Sequence, residues 1–110
     1  MVVTWNIAQD CVRKHERAIE RLIDYLHKNS ERFKLRSLRY FSETVGGSPF
    51  SPRRVMIFEY GSSEDLEYSE NKMREDKELA GINSELWANV HKRTRRVLEW
   101  QDKQRDSWFG

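Results

Sequence analysis

The stretch RRVMIFEY, residues 53 to 60, constrains the fold more than any other part of the chain. Successive side chains of a strand point to opposite faces, and Val55, Met56, Ile57 and Phe58 put apolar groups on both. A strand of that kind belongs inside a sheet covered on each side. Yet the residues of this chain are 35% charged, so covering material is scarce, and what packs on the second face becomes the central question.

The rest of the chain supplies the other layers. Val2 to Ala8 reads as a strand, with Val3, Trp5 and Ile7 on one face and Val2, Thr4, Asn6 and Ala8 on the other. Asp10 stands where a helix N-cap is expected. Behind it His15, Ala18, Ile19, Leu22, Ile23 and Leu26 recur at helical spacing, which predicts an amphipathic helix over 11 to 28. Lys34 to Thr44 reads as a second strand. The loop GGSPFSP, residues 46 to 52, then returns the chain antiparallel into RRVMIFEY. Ser62 and Ser63 followed by Glu64 and Asp65 mark a helix start. That helical region runs to about Val90, with a bend or restart suggested by Asp76 and Gly81. Thr94 to Gln101 alternates as a last strand, with Leu98 and Trp100 opposite Val97, Glu99 and Gln101.

Strand, helix, strand, strand, helix, strand is the order of an α+β, ferredoxin-like βαββαβ domain with a four-stranded antiparallel sheet. At 110 residues, positions 1 to 110 form one domain. Two helices are expected to cover the face carrying Val3, Trp5, Ile7, Leu38, Tyr40, Met56, Phe58, Tyr60, Leu98 and Trp100. The opposite face keeps Val2, Val55, Ile57, Val97 and Phe41 apolar among polar neighbours, more than a soluble monomer exposes. A second copy of the same sheet is the simplest cover, so a homodimer is expected.

Composition narrows the remaining classes. Lys and Arg total 20 against 18 Asp and Glu, which nominates neither nucleic acid nor membrane as a partner. Cys11 is the sole cysteine, the start MVVTWNIAQD lacks the pattern of a signal peptide, and no apolar run is long enough to span a bilayer. The expectation is a cytoplasmic protein. His15, His27 and His91 are scattered, so no metal site is expected, and no motif calls for a cofactor.

The whole chain resembles the dimeric α+β barrel superfamily, in which two ferredoxin-like subunits place their sheets face to face. Residues 53 to 87, RRVMIFEYGSSEDLEYSENKMREDKELAGINSELW, are similar to the NIPSNAP-like and antibiotic-biosynthesis-monooxygenase-like groups. The shared features are a strand ending in Glu plus an aromatic, an acidic helix start, and an Asp before a second amphipathic turn. The resemblance implies a dimeric barrel and a choice among cofactor-free monooxygenases, haem-degrading enzymes, lactone isomerases and ligand-sensing domains. Haem-degrading members use an Asn on the first strand, matched by Asn6, then a Trp and a His that fall here near Ser69 and Leu79. Two of three are missing, which disfavours that chemistry.

Candidate sites follow from these placements. Asn6, Arg39, Glu59 and Glu99 share the mixed sheet face, either as an internal polar network or as a small-ligand site with Arg39 reading an anion or Glu59 acting as base. Trp5, His15, Tyr40, Trp87 and Trp100 are placed to line a second cavity between sheet and helices, where plain core is the commoner role for such aromatics. Cys11 and His15 are four apart on one helix face, a nucleophile and base with no third orienting group. The expected function is binding of an apolar or aromatic small molecule, with a cofactor-independent monooxygenase or isomerase activity as one form of it. The alternative is a non-catalytic sensing or assembly module. RNA binding is disfavoured, because Val55 and Ile57 occupy the positions where an RNA-recognition motif carries stacking aromatics, although Arg53, Arg54, Arg93, Arg95 and Arg96 are basic. Trp108 and Phe109 suggest a tail that docks on the partner subunit.

Overall fold

The computed structural model describes residues 1–8, 10–42 and 52–98, with 91–93 described by their backbone only. Four strands and three helices follow one another as β1 (Val2–Ile7), α1 (Val12–Lys28), β2 (Leu35–Ser42), β3 (Arg53–Tyr60), α2 (Ser63–Glu75), α3 (Lys77–Trp87) and β4 (Val90–Leu98). The sheet is antiparallel throughout in the order β2-β3-β1-β4, the arrangement of a ferredoxin-like βαββαβ domain. The two most apolar strands, β1 and β3, are the central pair.

The helices pack on the face that carries Val3, Trp5, Met56 and Phe58. Ala18, Ile19, Leu22 and Leu26 of α1 join Leu79, Ile82 and Leu86 of α3 in one core with those strand residues. The starts of α2 and α3 have a local cause. Ser62 caps α2 by accepting from the Asp65 amide at 3.1 Å. Asp76 separates α2 from α3 and caps the latter, its Oδ1 accepting from the Leu79 amide at 3.0 Å. The expected restart is therefore at Asp76. Gly81 lies inside α3 and bends nothing.

Three expectations need correction. Asp10 does not cap α1. It holds a φ of 62°, in the left-handed region, and Cys11 takes the N-cap position without a side-chain hydrogen bond. The last strand begins at Val90, not Thr94, because the helix before it closes early. Asn89 turns back, its Nδ2 donating to the Glu85 carbonyl at 3.0 Å and its amide to the Leu86 carbonyl at 3.1 Å.

The faces of β4 are also exchanged relative to expectation. Leu98 stands opposite Val2 and Val97 opposite Val3, so Leu98 is on the face away from the helices and Val97 on the helix side. Farther along, Thr4 pairs with Arg96 but Asn6 pairs with His91, so Trp5 alone faces residues 92 to 95. This bulge leaves the Asn6 amide without a main-chain acceptor, and Thr94 Oγ1 accepts from it at 2.9 Å.

Candidate functional site

A cavity of about 140 Å³ lies between the sheet and the helices. Its lining residues sort by exposure. Trp5, Leu22, Leu26, Met56, Leu79 and Leu86 are buried and form the floor, whereas Met73, Asn83 and Trp87 are half-buried and Arg95 is exposed. The more exposed lining residues come from α2, α3, β4 and the N-terminal Met1. The Trp5 and Trp87 rings meet edge to face, 5.4 Å between centroids and 79° between planes. Arg95 lies over the Trp87 ring, its Cζ 4.7 Å from the centroid.

Directly behind Trp5 is a polar cluster. The Trp5 indole nitrogen donates to His15 Nε2 at 2.8 Å, and both residues are fully buried. Tyr40 stacks on the indole, 6.3 Å between centroids and 23° between planes. The Tyr40 hydroxyl donates to Glu16 Oε1 at 3.1 Å and accepts from Arg54 Nε at 3.0 Å. Arg54 closes the group on Glu16, with Nε and Nη2 each 2.9 Å from Oε1. His15 Nδ1 lies 3.4 Å from the same oxygen, outside ordinary hydrogen-bond geometry, and Glu16 acts on it through its charge and this long contact.

Burial dominates the titration of these groups. It holds the His15 imidazole below its ordinary value, with Glu16 opposing and Arg54 adding to the effect. It also drives the Tyr40 phenol well above its ordinary value, with the Glu16 charge acting in the same direction. At neutral pH the cluster therefore contains a neutral imidazole whose Nε2 accepts from Trp5, and a neutral phenol that donates to Glu16. That suits a rigid backing for the cavity wall better than a proton-transfer device open to a ligand.

The expected site residues consequently fall into separate places. Trp5 and Trp87 line the cavity, while His15 and Tyr40 back Trp5 from behind. Asn6, Arg39 and Glu59 are on the opposite sheet face. There Asn6 pairs with Arg53, six residues along β3 from Glu59, which corresponds to about 20 Å of strand. They cannot meet one small ligand together. Arg39 stands opposite Ile57, and Glu59 accepts a long hydrogen bond from Ser37 Oγ at 3.4 Å. Trp100, Glu99 and the Trp108-Phe109 tail lie outside the described residues. The Cys11 and His15 pair does not form a dyad, since Trp5 occupies Nε2 and Nδ1 faces Glu16.

Three functional-site residues were not singled out from the sequence for these roles. Glu16 and Arg54 hold the cluster, and Arg95 marks the cavity rim. Among the described residues no group of three or more His, Cys, Asp or Glu is placed to hold a metal ion, and no helix is long and apolar enough to cross a membrane. No protein-family model, curated protein or solved structure matches the chain.

Proposed function

We propose that the protein is a cytoplasmic small-molecule-binding protein that holds an apolar or aromatic compound between its sheet and its helices. In this reading it pairs with a second copy through the opposite sheet face, as the NIPSNAP-like and monooxygenase-like members of the dimeric α+β barrel superfamily do. The observation that carries the reading is the cavity itself: a buried apolar floor with half-buried residues around it, Trp87 and Asn83 among them. A fully packed interior would have favoured an assembly module.

Binding is favoured over catalysis. The described lining residues include no carboxylate, imidazole or thiol, and His15 is screened from the cavity by Trp5. The pairing surface consists of Val55 and Ile57, half-buried, with Phe41 and Leu98 exposed at 46% and 44%. Aliphatic groups at its centre suit a second protein surface better than stacked bases.

Titration with one-ring aromatic compounds, followed through the Trp indole N–H resonances, tests the binding. Shifts confined to Trp5 and Trp87 that saturate are expected. Unmoved indoles at millimolar compound would remove the reading.

A further inference from the structure

We propose that Arg95 makes the cavity selective for compounds that join one compact apolar body to one anionic group, of which a monocyclic aromatic carboxylate is the simplest. The inference rests on the reading that the cavity binds a small molecule, and it names the class. Volume sets the apolar part. An apolar protein cavity of about 150 Å³ accommodates benzene, so the space of about 140 Å³ here takes one ring or a chain of similar bulk. A second fused ring would have to extend past the floor toward the opening.

The rim sets the polar part. Arg95 is the only charged side chain among the described lining residues, and no carboxylate among the described residues pairs with it. Its planar group lies over the Trp87 ring, 4.7 Å from the centroid. A guanidinium that rests over a ring by its central carbon keeps N–H donors toward solvent, and such donors grip a carboxylate through two parallel hydrogen bonds. Asn83, half-buried on the same rim, adds a neutral donor and acceptor. A ring on the floor would thus present its substituent to a cation.

The placement of Arg95 has a backbone cause. Where Trp5 alone faces residues 92 to 95, β4 bulges, and the Thr94 hydroxyl replaces a ladder acceptor for the Asn6 amide. Bulges re-aim side chains, and this one accompanies the approach of Arg95 to Trp87 on the helix side. An ordinary surface arginine needs no such arrangement.

The test compares benzoate, benzyl alcohol, benzylamine and 2-naphthoate by NMR titration of the Trp87 indole in the full chain. Benzoate should bind about tenfold more tightly than benzyl alcohol at low salt, the gain of one charge-assisted pair at a wet rim, and the gap should narrow at high salt. Benzylamine and 2-naphthoate should both bind more weakly than benzoate. Arg95→Gln should bring benzoate down to benzyl alcohol while leaving the alcohol unchanged, and Arg95→Lys should restore part of the difference. Equal binding of benzoate and the alcohol to the unaltered protein would overturn the anion preference and leave the cavity reading intact. Failure of every probe to move Trp87 would overturn both.

Discussion

Trp5 and His15 are joined through the centre of the fold, the indole N–H donating to the imidazole Nε2 at 2.8 Å with the two residues 1% and 0% exposed. The bond requires that nitrogen to be unprotonated. It therefore ties the packing of the cavity wall to the protonation of a buried histidine.

Acidification should weaken the fold through His15. Burial first, with Arg54 assisting and Glu16 opposing, keeps its folded pKa below the ordinary value. The unfolded chain then takes up the proton earlier as pH falls. Stability from this group is full above about pH 6.5 and declines toward the folded pKa, by at most about 1.4 kcal/mol per pH unit. Urea unfolding between pH 7.5 and pH 5 measures the decline. His15→Phe should remove this component while costing about 1–3 kcal/mol at neutral pH, because the Trp5 N–H is left unpaired.

Asp76 should matter more than its place between two helices suggests. It accepts from the Tyr25 hydroxyl at 2.6 Å and from the Leu79 amide at 3.0 Å, and it pairs with Arg32. Burial pushes its pKa up, but these hydrogen bonds and the Arg32 charge together outweigh burial and hold it below the ordinary value. Asp76→Ala is expected to cost about 2 kcal/mol, and Asp76→Asn less, since an amide oxygen still caps α3. The carboxylate's contribution is present above the unfolded pKa near 3.8 and lost as pH falls through the folded one. Unfolding midpoints at pH 7 should separate wild type from Asp76→Asn, and the gap should narrow as pH falls below the ordinary carboxylate value.

Gly81 offers a gain. It lies in the interior of α3, and a Cβ built on it meets nothing within 4 Å. Gly81→Ala should stabilise by about 0.5–1 kcal/mol through reduced backbone freedom in the unfolded chain. An unchanged or lower unfolding midpoint would show that the glycine serves some close approach.

Much of this architecture is legible in the sequence because each element repeats one period. Residues 53 to 60, apolar on both faces and bounded by charge and breakers, match β3 end for end, and the α1 stripe from His15 to Leu26 is the buried face of that helix. The phase of β4 is not legible. Four residues opposite one are invisible to an alternation rule, so Leu98 and Val97 exchange faces and Arg95 passes for part of a basic string. Arg54 was nearer to hand. It shares the parity of Met56 and Phe58, which places a cation on the helix-facing side, and a cation there needs an anion; Glu16, one residue beyond a buried histidine, is that anion. Separations between residues on one face cannot be read from parity at all, which is why Asn6 and Glu59 look like neighbours in sequence logic and stand about 20 Å apart along the strands.

Association through the sheet face can be separated from folding. Phe41 and Leu98 are exposed at 46% and 44% on that face, so replacing them removes little buried area within one chain. Phe41→Ser and Leu98→Ser should each shift the stability of the monomer by no more than about 0.5 kcal/mol. If the face is buried in a dimer, the same changes remove apolar contacts at its periphery, and each should weaken association by about 1 kcal/mol, roughly fivefold in Kd. Ile57 is half-buried at the centre, pairing with Val2 and Arg39 across the two neighbouring strands. Ile57→Lys would force a charge into the middle of the joined sheets, where desolvation without a partner costs several kcal/mol, and is expected to leave only monomer at micromolar concentration. Sedimentation velocity across a dilution series reads the association, and far-ultraviolet circular dichroism of the same samples establishes that the variants are folded. A wild-type chain that sediments as a monomer at every concentration would end the barrel reading, and Val55 and Ile57 would then have to be covered from within the same chain.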